Sequence, residues 1–236
     1  IVILDDNFSS IAKAILYGRT IFKSIRKFIV FQLTMNLCAV GVSVFGPMLG
    51  VDTPVTVVQM LWVNMIMDTL GGLAFAGEAP LKEYMKEPPK RRDEPILNRY
   101  MVNQILITGL STMGLCLFFL KSDKIRSLFC YQSDPLYFLT AFFSLFIFCG
   151  VLNSFNARTH RINLFSHLWK NPTFVLIMAA VTGLQLVFIY YGGTLFRTTP
   201  LPVSELGFTF LLACLVLPLD LLRKIALRFL RRPRDF

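Results

Sequence analysis

Six stretches of mostly apolar residues divide this chain, each close to the roughly 20 residues that a helix needs to cross the hydrocarbon core of a bilayer. They run over about residues 27–45, 55–76, 100–120, 135–152, 172–191 and 204–222. Backbone polar groups in hydrocarbon must be satisfied within the crossing itself, which selects helices for such segments. With 55% of residues apolar and 16% charged, the expected fold class is an all-α polytopic membrane protein, a bundle of six transmembrane helices. The polar, proline-rich segments "GEAPLKEYMKEPPKRRDEPILNR" and "NARTHRINLFSHLWKNP" read as loops between crossings. No internal repeat is visible.

The charges orient that bundle. Of 24 lysines and arginines, 20 fall on the side of the N-terminus and 4 on the other. This is the positive-inside asymmetry, and it predicts that both ends face the cytoplasm. Topology thereby accounts for the net charge of +10, and no nucleic-acid partner is required. The partner throughout is the lipid bilayer. The basic end "RKIALRFLRRPRDF", residues 223–236, is expected to anchor beside the membrane, with anionic lipid or a calmodulin-like protein as further contacts.

The chain opens "IVILDDNFSS", an apolar run ended by Asp-Asp-Asn. It has no basic region before an apolar core, so it is no signal peptide; it reads as a buried strand ending in a turn, continuous with something larger. Asn7, Ser9 or Ser10 would cap a short helix that Gly18 ends. From Arg19 a helical pattern continues without a breaker to Phe45, a rod of about 40 Å. Its first third is basic (Arg19, Lys23, Arg26, Lys27) and the remainder apolar. Such a rod, half in water, can carry movement into the membrane.

Within the crossings the polar residues are few: Gln32 and Asn36; Gln59, Asn64 and Asp68; Asn103 and Gln104; Gln185. Glu205 and Asp220 fall at the ends of the sixth stretch, where they are expected to reach water. Asp68 is then the one carboxylate at mid-membrane depth, a placement that costs several kcal/mol unless something compensates. Asn64 and Asp68 are four residues apart on one helix face, and Asn36 lies in the preceding crossing, joined to theirs by a short turn. One carboxylate with two amides is an oxygen-rich set suited to a hard cation such as Ca²⁺ or Mg²⁺, which makes Asn36, Asn64 and Asp68 the candidate metal ligands. Gly71-Gly72 weakens the helix just beyond, and backbone unwound there would free carbonyls for an ion. The alternative is a protonated Asp68 bonded to Asn36, with the glycines serving close packing.

Nothing else suggests catalysis. There is no nucleotide-binding loop, Walker motif or nucleophile with its base, so no catalytic or cofactor-binding residue is assigned. His160 and His167 sit in a basic loop and read as solvated. Cys38, Cys116, Cys130, Cys149 and Cys214 form no CxxC pair and read as packing residues.

The stretches "DDNFSSI", "FQLTMNLCAV", "VQMLWVNMIMDTLGGLA", "NARTHRINLFSHLWKNPTF" and "YYGGTLF" together resemble the carboxy-terminal part of P-type calcium-transporting ATPases of the plasma-membrane type. The resemblance covers essentially the whole chain, and "LWVNMIMDT" is its most specific element. It implies that residues 1–18 end the phosphorylation domain and that residues 19–222 are the last six of ten spans, with 223–236 a short basic tail. It places the family's ion-binding asparagines and aspartate on Asn36, Asn64 and Asp68. Ala39 stands where reticulum-type pumps carry a glutamate, Met67 replaces a threonine ligand, and 135–152 has no carboxylate, which implies one calcium ion per cycle. ATP and Mg²⁺ would bind in the missing amino-terminal part of the same pump, so this segment alone is expected to be inactive. The same carboxylate is expected to exchange protons once calcium leaves. The alternatives are a P-type pump for Mn²⁺, Na⁺ or H⁺, and a non-enzymatic channel or transporter module with Asp68 as a proton relay.

Overall fold

The structure is a computed structural model describing residues 7–89, 95–159, 163–164, 168 and 171–230, except for the side chains of 66, 67 and 228–230. The strand expected at the start, His160, His167 and the last six residues of the tail lie outside it. Among the described residues, six helical segments are long and apolar enough to cross a membrane, and they coincide with the six apolar stretches.

The first segment is longer than expected. Helix α1, Phe8–Met48, is one rod of 41 residues, about 60 Å at 1.5 Å per residue. Asn7 caps it, its side-chain oxygen accepting from the Ser9 amide at 2.9 Å. Gly18 does not end it. A Cβ at Gly18 would meet nothing within 4 Å, so this glycine is an exposed interruption in propensity that its helical neighbours override. The rod stops at Gly50, whose φ of +82° lies in the region glycine adopts at least cost.

The second segment is assembled from α2, Val57–Trp62, a π-helical turn, Val63–Met67, and α3, Asp68–Ala76. Helix α4, Arg99–Lys121, follows, then the short α5, Asp123–Leu128, and α6, Pro135–Arg158. Helices α6 and α7, Pro172–Tyr191, both begin with proline at the first helical position, capped by Asp134 and Asn171. Proline there loses no hydrogen bond and presets φ, which is why both starts were readable to the residue. Then come α8, Gly193–Phe196, α9, Val203–Ala213, and α10, Val216–Leu230.

The sixth crossing is therefore two helices rather than one. Pro218 has no amide hydrogen, and its ring clashes with the carbonyl four residues earlier, at Cys214. The chain there turns by shorter bonds, from the Leu215 amide to the Leu212 carbonyl and from the Leu217 amide to the Cys214 carbonyl, both 3.1 Å.

Helix α6 occupies the centre, in contact with α1, α4, α7, α9 and α10. It has apolar residues on every side, as a helix surrounded by others does, and Phe138, Phe142, Phe143 and Phe146 are fully buried. Helix α3 packs across α1 and α7. The tightest pairing, α1 with α4, depends on small residues. A Cβ at Gly109 would stand 2.8 Å from Leu37 Cδ2 and 3.3 Å from the Thr34 carbonyl oxygen, and one at Gly41 would lie 2.0 Å from Met113 Sδ. Close approach at small residues is how membrane helices gain van der Waals contact without a hydrophobic driving force.

Replacing Gly109 with valine is expected to destabilise the bundle by about 1–3 kcal/mol through overpacking, read as a lower unfolding midpoint in detergent or nanodiscs. Gly114→Ala, where nothing lies within 4 Å, is expected to leave the midpoint unchanged or slightly higher.

Candidate intramembrane cation site

The second crossing starts with a reciprocal cap: the Thr56 hydroxyl accepts from the Gln59 amide at 3.3 Å, and Gln59 Oε1 accepts from the Thr56 amide at 2.9 Å. The Gln59 Nε2 then donates to the Phe196 carbonyl at 2.8 Å. One of the polar residues of this crossing is thus spent on helix capping and on holding α8.

The unwinding expected at Gly71-Gly72 is absent, and the irregular backbone of this crossing lies before Asp68 instead. The π-helical turn contains Asn64 and runs into Asp68. Such turns insert an extra residue into a helix and recur at functional sites. The Met65 carbonyl at its centre accepts from both the Asp68 amide and the Thr69 hydroxyl. Gly71 and Gly72, by contrast, remain helical. A Cβ on Gly71 would lie 3.1 Å from Phe31 Cε1, and one on Gly72 would lie 3.7 Å from Phe28 Cε2. They serve close packing on α1, the alternative reading of this pair, and free no backbone at that point.

Asp68 is half-buried, and its Oδ2 accepts from Gln32 Nε2 of α1 at 2.5 Å. No direct bond joins Asp68 to Asn36, although Asn36 lies one helical turn beyond Gln32 on the same rod. Asn36 is half-buried, Asn64 is exposed, and neither side-chain amide has a hydrogen-bond partner among the described residues. Asn64 shares its exposed flank with Leu61, Met65 and Leu73, a face that nothing among the described residues covers. The side chain of Met67 lies outside the described set. Ala39 is buried in the core.

Chemically, the site offers one carboxylate held by one amide donor, with two further unpaired amides, Asn64 four residues before Asp68 and Asn36 four residues beyond Gln32 on α1. Among the described residues no three His, Cys, Asp or Glu side chains gather into a metal-binding group. A calcium ion takes roughly 6–8 oxygens, more than Asp68, Asn36, Asn64 and the Gln32 carbonyl supply. Gln32, a polar residue of the first crossing outside the expected ligand set, is the one that meets Asp68; its spacing of four from Asn36 was the available signal.

Two further arrangements correct the expectations. The basic part of α1 does not stand free in water: Arg19 Nη1 donates to the Tyr84 and Glu87 carbonyls at 2.6 and 2.7 Å, Lys23 pairs with the Glu87 carboxylate, and Lys27 Nζ meets Glu78 Oε2 at 2.5 Å. Lys23 also lies 4.3 Å from the Tyr84 ring centroid. The loop after α3 is thereby strapped along the rod. Asp220 does not reach water either. It is 1% exposed, because α10 runs on to Leu230 and turns it inward with Arg223 and Lys224, at 2.7 and 2.8 Å. Glu205 accepts from the Tyr137 hydroxyl at 2.5 Å. Cys38, Cys116 and Cys149 are buried, with Cys38 Sγ 4.0 Å from Cys116 Sγ.

Residues 52–226 match the family described as "Cation transporting ATPase, C-terminus". The chain is 37% identical over 216 residues to plasma membrane calcium-transporting ATPase 3 of Homo sapiens, a match covering 87% of this chain and 18% of that protein. It is 39% identical over 203 residues to probable calcium-transporting ATPase 6, plasma membrane-type, of Oryza sativa subsp. japonica, covering 85% and 20%. It is 33% identical over 264 residues to calcium-transporting ATPase PAT1 of Dictyostelium discoideum, covering 97% and 24%. The chain spans about a fifth of the length of these curated relatives.

The strap makes its own demand. Lys27→Met would leave the Glu78 carboxylate without its partner, at a site where both side chains are nearly buried, 10% and 12% exposed. Breaking such a pair costs roughly 3 kcal/mol, to be read as a fall in the unfolding midpoint. The double variant Lys27→Met, Glu78→Gln should recover part of it.

Proposed function

The chain belongs to the cation-transporting ATPase C-terminal family, and from that premise we propose that it is the membrane transport portion of an ATP-driven calcium pump. In this reading residues 1–18 end a phosphorylation domain, 19–222 form the last six spans, and 223–236 are a basic tail. Both ends face the cytoplasm at the plasma membrane, which the 20-to-4 distribution of basic residues supports. ATP and Mg²⁺ bind in the absent portion.

The observation that carries the proposal is the Asp68 carboxylate, set at the end of a π-helical turn and joined to the rod α1 through Gln32. Calcium is the cargo. Asp68 supplies the charge that compensates it, Asn36 and Asn64 supply amide oxygens, and the uncovered flank beside Asn64 is where the absent spans complete the oxygen shell. Gln32 acts as a positioning residue: its Nε2 holds one carboxylate oxygen and leaves the other for the ion. Movement of α1 displaces Gln32 and Asn36 against α3, and the strap from Arg19, Lys23 and Lys27 to residues 78–87 moves the end of α3 with it. A two-state shift of that kind changes the ion's oxygen count and so its affinity. The glutamate of the reticulum-type pattern is replaced by buried Ala39, which supports a single ion per cycle.

In the full-length pump, Asp68→Asn is expected to abolish calcium-dependent phosphorylation from ATP and calcium uptake into vesicles. Normal phosphorylation would remove Asp68 from the ligand set. Gln32→Ala is expected to weaken apparent calcium affinity roughly 10-fold or more, as loss of a ligand-orienting partner does, while leaving maximal uptake largely intact. Stimulation of ATP hydrolysis by Mn²⁺ or Na⁺ and not by Ca²⁺ would assign the pump to another cation.

A further inference from the structure

The end of the bundle away from the N-terminus carries a groove that the transport reading leaves unused. It lies between the last turn of α1 and the last turns of α4, with a volume of about 640 Å³. Phe45, Met48 and Leu49 form one wall, and Gly114, Leu117 and Phe118 the other. Within each wall the residues recur at three- and four-residue spacing, so each wall is a single helix face. The groove is open because Gly114 brings no side chain to it: a Cβ there would meet nothing within 4 Å. Deeper in the bundle the same two helices close up, with Met113 packed over Gly41 and Leu37 over Gly109. A polar clamp fixes the spacing at the open end. Arg126 of α5 donates from Nε to the Leu120 carbonyl at 2.6 Å and from Nη2 to the Leu49 carbonyl at 2.8 Å.

The mouth of the groove is positive. Lys121 and Ser122 complete the lining there. Lys121 is exposed, and neither its ammonium group nor the Ser122 hydroxyl has a hydrogen-bond or ion-pair partner among the described residues. Of the four basic residues on this side of the bundle, three are Lys121, Lys124 and Arg126. The neighbouring carboxylate, Asp123, is exposed and is not part of the lining. A lysine at the end of a membrane helix lays its stem along apolar surface and carries its ammonium to the interface. That is the level of the lipid phosphates.

An apolar slot with one cation and one hydroxyl at its rim fits a molecule that has a long hydrocarbon chain and an anionic head. The volume falls within the roughly 300–1,000 Å³ of small-molecule sites, and the surrounding bilayer supplies such molecules at this depth. We propose that the groove holds one phospholipid as a resident ligand. An acyl chain lies between Phe45 and Phe118 and fills the space at Gly114, and the phosphate accepts from Lys121 Nζ and the Ser122 hydroxyl. This site goes beyond the calcium-pump reading and does not depend on it.

The test uses the full-length protein in nanodiscs that contain a phosphatidylcholine with a diazirine on one acyl chain, illuminated and then mapped by peptide mass spectrometry. Label on residues 45–49 and 114–118 is expected to exceed several-fold that on Val187 and Tyr191, both exposed near the end of α7 on the same side of the bundle. Gly114→Leu, which fills the groove, and Lys121→Gln, at an exposed position, should each bring the groove label down to the α7 level. Equal labelling in the unaltered protein would overturn the proposal, since the groove would then meet only exchanging bilayer lipid. Label on α7 with none in the groove would overturn it too, and would assign the groove to the absent spans of the same protein. Unchanged label in Lys121→Gln would remove the phosphate contact and with it the assignment to a phospholipid. Calcium uptake by the same preparation reports separately on the pump reading: its absence would count against that reading and not against the lipid site.

Discussion

A hydrocarbon core supplies no hydrogen-bond partners, so a polar side chain carried into it is stabilised by bonding to its own helix or to a neighbouring one. The contact between Gln32 of α1 and Asp68 at the start of α3 answers this requirement for a carboxylate of the second crossing. It holds a carboxylate against the longest helix of the bundle, and it couples the rod to the second crossing. Separating the partners would cost both groups a hydrogen bond, so the two elements are held together at this point.

The same requirement explains the centre of the bundle. Helix α6 is enclosed on all sides, yet it carries Thr140, Ser144, Asn153, Ser154 and Asn156, all buried. The hydroxyls of Thr140 and Ser144 return to their own helix, donating to carbonyls four residues earlier. The asparagines cannot do so and instead reach α4, α10 and α1. Apolar packing by Phe142, Phe143 and Phe146 gives the helix its place, and the asparagines set its rotation. At the other end, α1 is held by charge: the strap from Arg19, Lys23 and Lys27 ties it to the chain leaving α3, so rod and second crossing are fastened at two levels.

Much of the fold was legible because bilayer thickness sets a length that composition reveals directly. Pro135 and Pro172 marked helix starts since proline loses nothing at the first helical position. Other signals were ambiguous in kind. Gly18 and Gly71-Gly72 have the composition of breaks, yet one is an exposed helical glycine and the others are packing surfaces beneath Phe31 and Phe28. Pro218 did break its helix, in a stretch whose hydropathy shows no change. The π-helical turn before Asp68 has no compositional mark at all, because it is a choice of hydrogen-bond register.

By itself, then, the sequence determined six apolar crossings and which polar and acidic residues they carry, since hydropathy and the chemistry of side chains are properties of the linear chain. Tertiary structure alone decided that Gln32 rather than Asn36 meets Asp68, that Asp220 is buried with Arg223 and Lys224, and that the basic start of the rod is strapped. These depend on the rotation of each helix about its axis. A rotation of one residue, about 100° at 3.6 residues per turn, exchanges one partner for another without altering any periodicity that could be read beforehand.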